Sequence, residues 1–212
     1  MQFRIDFKII LVLIIFFITN QIEIYLLFMF FAGIHEIGHL FMGRLLGFKP
    51  NKIGIIPMGL SISFDSKYDC LDIKKNAFKK LAVSFAGPVT NLLIAIFFSF
   101  INIEIFKNLT TEIIYANFLI AIFNLLPIYP LDGGQIVKNI ITILSGLKNS
   151  YIYTNLISNI TLISLTIISS IAILYLKNIA ILFIIIFLWI LVIKENIIYN
   201  KKMQLYKLVE DM

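Results

Sequence analysis

Residues 22–46 read IEIYLLFMFFAGIHEIGHLFMGRLL. A bilayer with a hydrocarbon core of about 30 Å needs about 20 helical residues to cross it, and this stretch is long enough. Its second half nevertheless carries His35, Glu36 and His39. An ionisable side chain among lipid tails costs on the order of a few kcal/mol unless partner groups compensate, so such residues point to function.

The surrounding chain has the same apolar character. Of its 212 residues, 60% are hydrophobic, 14% are charged and 20 are phenylalanine, a composition outside the range of soluble domains. Six apolar segments stand out, residues 7–19, 22–46, 81–101, 113–126, 156–176 and 179–193. They predict an all-α polytopic membrane protein with six transmembrane helices. The first and fourth are short for a span, so neighbouring helices must shield them or they are locally broken. No small-residue cleavage site follows the first segment, which is therefore expected to stay in place as a span.

Charge placement supports an even number of spans. With the N-terminus inside, all of the 18 lysines and arginines except Lys107 and Lys177 fall in inner segments. The positive-inside rule then puts both termini in the cytoplasm. The net charge of +6 sits between apolar segments and forms no continuous face, which argues against a nucleic-acid partner. Residues 1–200 are expected to form one membrane domain, and 201–212 a short charged cytoplasmic tail. Trp189 and Tyr199 read either as interface anchors or as packing residues.

The long inner connection, residues 48–80, contains KIGIIPMGLSISF at 52–64. Its β-branched residues around Gly54, Pro57 and Gly59 predict a small β-hairpin-like insertion between the second and third helices; the alternative is an apolar loop on the membrane surface.

His35, Glu36 and His39 form the pattern H-E-x-x-H. On a helix this spacing stacks both imidazoles on one face, one turn apart, where they supply half of a tetrahedral metal site. Glu36 is offset by about 100° from His35 and is placed to accept a proton from water. The competing reading is a pair of polar side chains packed inside a bundle. The chain has 2 histidines, and random placement would separate two by four positions only about once in a hundred, which favours the metal motif. Cys70 is the lone cysteine, so internal disulfides and paired-cysteine zinc sites are excluded, and ligands must be His, Asp or Glu.

A catalytic zinc usually takes three protein ligands and leaves one position to water. His39 and His35 lie about 8 Å and 13 Å along the helix from the inner boundary at Arg44. Glu23, Glu104 and Glu112 belong to the outer side and are remote, while Glu195 lies at the inner end of the last span in polar sequence. Asp132 remains, within NLLPIYPLDGGQIV at 124–137. There two prolines interrupt a span that resumes after two glycines, which predicts a broken helix presenting the aspartate to a polar cavity. The alternative role for Asp132 is that of a helix N-cap. In SFAGPVTNLL, residues 84–93, the small residues serve helix packing, and Asn91 is placed to hydrogen-bond a neighbouring helix or the broken segment.

These three stretches together resemble the site-2 protease family of intramembrane zinc metalloproteases. The matching residues are His35-Glu36-Ile37-Gly38-His39, Ala86-Gly87-Pro88-Val89-Thr90-Asn91, and Asn124 through Pro127 and Pro130 to Asp132-Gly133-Gly134. The resemblance implies one Zn²⁺ on His35, His39 and Asp132, Glu36 as the residue that activates water, and Asn124 near the substrate. Pro130 and the strand residues Ile55, Ile56 and Gly59 complete the expected substrate-binding set, because an extended substrate can add as a strand along 53–64. Within the family the wording NLLPIYPLDGG is most similar to the bacterial stage IV sporulation protein FB subgroup. That subgroup implies a membrane-associated sigma-factor precursor as substrate, inhibitory membrane proteins as partners, and the outer forespore membrane facing the mother cell as location. A CBS domain of the kind found in that subgroup is expected to be absent, and a homo-oligomer is compatible with the sequence.

The rival from another class is a metal-ion transporter, which would continue polar residues to both faces. The outer halves of the spans are nearly uninterrupted Ile, Leu and Phe, which favours a site open to the inside only. A non-proteolytic membrane scaffold is the third reading, and the intact Glu36 argues against it.

Overall fold

Helices here end where capping and hydrogen bonding end them, and most outrun the apolar segments that mark them. A computed structural model describes residues 2–5, 8–18, 20–56, 59–64, 72–100, 107–176 and 180–210. In chain order the elements are β1 (Gln2–Ile5), α1 (Lys8–Ile18), α2 (Ile22–Leu45), β2 (Pro50–Ile56), β3 (Gly59–Phe64), α3 (Ile73–Ser99), α4 (Lys107–Leu125), α5 (Asp132–Ser145), α6 (Leu147–Leu176) and α7 (Ala180–Glu210). They fall into two compact units, Met1–Leu125 and Leu126–Met212.

Among the described residues, five helices, α2, α3, α4, α6 and α7, are long and apolar enough to cross a membrane. Many of their large apolar side chains are exposed, including Ile37, Phe41, Leu93, Ile96, Ile163, Ile167 and Phe183. Apolar surface on this scale marks contact with lipid or protein, and it agrees with a multi-pass membrane protein. The expected first span is α1, which has 11 residues. A helix of that length rises about 16 Å, roughly half of a hydrocarbon core.

In the first unit, α3 packs against both α2 and α4. Among the described residues, Phe31, Ile113 and Ile120 form a buried apolar cluster, with Leu27, Phe28, Ile34, Ile94 and Phe98 packed around them. α2 stops where Gly47 adopts a φ of +85°, a left-handed conformation that costs glycine little. Gly47 N–H then bonds Arg44 O at 3.0 Å, and Phe48 N–H bonds Gly43 O at 2.9 Å, closing the last turn of the helix. α3 begins at Ile73, because Asp72 accepts from Lys75 N–H at 3.1 Å and caps a first turn that hydropathy does not register. Lys74, Lys75, Lys79 and Lys80 therefore lie on a helix and not in the loop that the sequence suggested.

β2 pairs antiparallel with β3, with Ile55 opposite Leu60 and Ile56 opposite Gly59; residues 57–58 lie outside the described residues. β1 pairs parallel with β2, giving the strand order β1-β2-β3.

In the second unit, α6 packs against α5 and α7, and Ile128, Leu162, Leu188 and Val192 are among its fully buried side chains. Asn155, Asn159 and Asn196 link α6 to α7, with Asn155 donating to Asn196 at 2.5 Å and Asn196 to Asn159 at 3.1 Å. Trp189 Nε1 donates to Thr166 Oγ1 at 3.2 Å, a side-chain link between α7 and α6. α7 runs to Glu210, which makes residues 201–210 part of that helix.

Candidate metal centre

α2 turns His35 and His39 inward, at 3% and 8% exposure, toward α3. His39 Nδ1 lies 2.7 Å from Val83 O, a carbonyl that can only accept, so Nδ1 carries the proton. His35 Nδ1 lies 2.6 Å from Asn91 Oδ1. The orientation of the Asn91 amide follows from its NH₂ group, which donates to Asn117 Oδ1 at 2.8 Å and to Phe31 O at 3.5 Å. Both imidazoles are thus held as the Nδ1–H tautomer, with lone pairs on Nε2.

The two Nε2 atoms stand 3.1 Å apart, with the rings at 84° to each other. Two lone pairs at that distance repel, and a cation between them converts the repulsion into coordination. Tetrahedral Zn²⁺ at about 2.0–2.1 Å from each nitrogen would separate them by about 3.3 Å. The donor set therefore fits a divalent metal, and the hydrogen bonds behind it fix the tautomer that ligation requires.

Across from this pair stands Gly87 of α3, which is buried. A Cβ on Gly87 would collide with Nε2 of both His35 and His39. The sequence suggested packing for this glycine; the structure makes it the wall of the centre. Gly38 does serve packing, since a Cβ there would strike Thr90 Oγ1 and Ala86 O on α3.

Glu36 is half-buried on the flank of α2. Asn124 lies in the last turn of α4, where its Nδ2 donates to Ile120 O at 3.0 Å. Ile55 and Ile56 on β2 and Gly59 on β3 are neighbours in the sheet, Ile56 directly opposite Gly59. Among the sequence-predicted residues of the first unit, the structure draws His35 and His39 together.

The second unit opens with the expected break. Between α4 and α5, residues 126–131 form tight turns, with Ile128 N–H bonded to Leu126 O at 2.7 Å and Leu131 N–H to Ile128 O at 2.8 Å. Tyr129 N–H donates to Ser158 Oγ at 3.0 Å, the Tyr129–Pro130 peptide is cis, and Pro130 O accepts from Gln135 Nε2 at 3.1 Å. Asp132 is the first residue of α5 and is 7% exposed. The cap position belongs to Leu131, without a side-chain cap bond, so Asp132 is not the N-cap that the sequence allowed as an alternative.

Gly134 lies directly on this break. A Cβ there would collide with the backbone of Ile128 and Tyr129. Backbone cannot swing aside as a side chain can, so Gly134→Ala should destabilise the protein by about 1–3 kcal/mol. Thermal denaturation in detergent should show this as a lowered Tm; an unchanged Tm would show that the break relaxes freely.

The family model of peptidase family M50 matches residues 23–113 and 102–168. A zinc metalloprotease of Methanocaldococcus jannaschii is 32% identical over 140 residues, covering 62% of this chain and 38% of that protein. A putative zinc metalloprotease of Synechocystis is 26% identical over 120 residues, 54% of this chain and 30% of that protein. The chain thus spans only these minor fractions of the curated relatives it matches. The solved structure of a site-2 protease from M. jannaschii shares the fold, with a TM-score of 0.66 over 91% of this chain and 89% of the other at 24% identity.

Proposed function

Because this chain belongs to peptidase family M50, we propose that it is an intramembrane zinc metalloprotease in which His35, His39 and Asp132 hold one Zn²⁺. The observation that carries the proposal is the His35–His39 pair, whose Nε2 atoms face each other at 3.1 Å with both Nδ1 atoms hydrogen-bonded to oxygen. Asp132 supplies the third donor: it is a buried carboxylate in the first turn of α5.

A bound Zn²⁺ supplies Lewis acidity that acidifies water and polarises the scissile carbonyl. Glu36 accepts the proton of the attacking water and delivers it to the leaving amine. Burial of the imidazoles in a water-poor site strengthens their electrostatic interactions. The substrate is a membrane-associated or single-span protein, presented in extended form because a helix hides its peptide bonds in internal hydrogen bonds. Ile55, Ile56 and Gly59 align it as an added strand, and Asn124 and Pro130 contact it near the cleaved bond. α1 serves as a short first span, which makes six with the five long helices and places both termini in the cytoplasm. The subgroup wording supports a sigma-factor precursor of sporulation as the substrate.

Incubating the purified protein with candidate single-span substrates, with and without a zinc chelator, tests the activity. Cleavage that chelation stops and zinc restores supports the proposal; chelator-resistant cleavage refutes it. Asp132→Ala should cut zinc affinity by about 100-fold or more, as loss of one of three donors implies. Unchanged zinc stoichiometry at submicromolar zinc would reject the ligand role.

A further inference from the structure

The polar groups behind His35 continue into α4. Asn91 and Asn117 are each 0% exposed, so their amides have no water to turn to. Asn117 Nδ2 donates to Ile113 O at 2.9 Å. A backbone carbonyl only accepts, which fixes Asn117 with its oxygen turned away from Ile113. That oxygen receives Asn91 Nδ2 at 2.8 Å, and Asn91 Oδ1 in turn receives His35 Nδ1 at 2.6 Å. Each bond in the series dictates the sense of the next, from a carbonyl on α4 through α3 to an imidazole on α2.

We propose that Asn117 is a positioning residue for the metal centre, setting the His35 tautomer through Asn91. The inference rests on the zinc-site reading above, and adds a residue more than one helix away from the metal. Without an acceptor at position 117, the Asn91 amide loses its 2.8 Å bond and keeps only the long 3.5 Å bond to Phe31 O to oppose a flip. Once flipped, its NH₂ faces His35 Nδ1, which must become the acceptor, and the ring proton moves to Nε2. An Nε2–H cannot ligate a metal, so the same geometry would lose half of its imidazole donors.

The experiment uses the full chain in detergent and three substitutions. Asn117→Leu removes the acceptor while keeping the branch at Cγ, and Asn117→Ala removes it without bulk in case the larger leucine impairs folding. Asn117→Asp keeps an oxygen that accepts from Asn91, whether the carboxyl is neutral or ionised. The chain has 2 histidines, so ring ¹⁵N NMR of metal-free protein reports His35 with little overlap. Wild type and Asn117→Asp should show Nδ1–H at His35, whereas Asn117→Leu and Asn117→Ala should shift it toward Nε2–H. Competition with a chromogenic chelator should show zinc affinity about tenfold weaker in the Leu and Ala variants, with Asn117→Asp within about threefold of wild type. A purely structural role for Asn117 would lower Tm without moving the tautomer. The proposal fails if His35 keeps Nδ1–H in both apolar variants, or if Asn117→Asp loses the tautomer as they do. If the tautomer shifts as expected but wild type binds no zinc, the relay stands and the protease reading falls.

Discussion

Glu36→Gln is expected to lower kcat for peptide hydrolysis about 10³- to 10⁴-fold, the full range of a general base, while leaving zinc content at the wild-type level. The amide matches the carboxylate in shape and hydrogen-bonding reach but cannot take a proton. The zinc is retained because Glu36 is offset by about 100° around α2 from His35 and contributes no donor to the imidazole pair. Single-turnover cleavage and metal analysis on one preparation separate the possibilities. A fully active variant would remove Glu36 from the chemistry, and a parallel loss of zinc would make it a ligand.

Gly87→Ala should be as severe by a different route. A Cβ at this position collides with Nε2 of both histidines, the atoms through which the metal would be held. Zinc affinity should fall at least about 100-fold, beyond the usual effect of perturbing groups behind a ligand. Alanine is meanwhile the better helix former by about 1 kcal/mol, so α3 itself gains. The expected signature is a helical, folded protein that has lost metal and activity together. Chelator competition and circular dichroism measure the two halves, and an Ala variant with wild-type zinc affinity would show that the imidazoles can retreat.

What could be read from the sequence divides along physical lines. H-E-x-x-H was legible because a spacing of four on a helix has one geometric meaning. The break before Asp132 was legible because Pro127, Pro130, Gly133 and Gly134 each limit or free the backbone in known ways. Helix ends were not. Hydropathy reports the portion facing lipid, whereas α3, α6 and α7 continue on polar residues, as with the Asp72 cap and the run to Glu210. The four-residue β1, paired with β2 across α1 and α2, carries no local signal of its partner. Asn91 was legible as a hydrogen-bonding residue, and its attachment to a neighbouring helix is what the structure shows. Asn117 and the wall function of Gly87 were hidden, since both depend on where three helices converge and not on any spacing within one of them.

Val83, Gly87 and Asn91 recur every four residues on α3, and they meet histidines that recur every four on α2. Two matched ladders of this kind have one workable alignment. A slip of one turn, about 5.4 Å, would put a side chain where the glycine stands and leave each imidazole facing a wrong neighbour. Sliding α2 past α3 by a turn would therefore dismantle the arrangement around both imidazoles at once. Any motion that keeps the imidazole pair in register must spare this helix pair and be taken up by other parts of the chain.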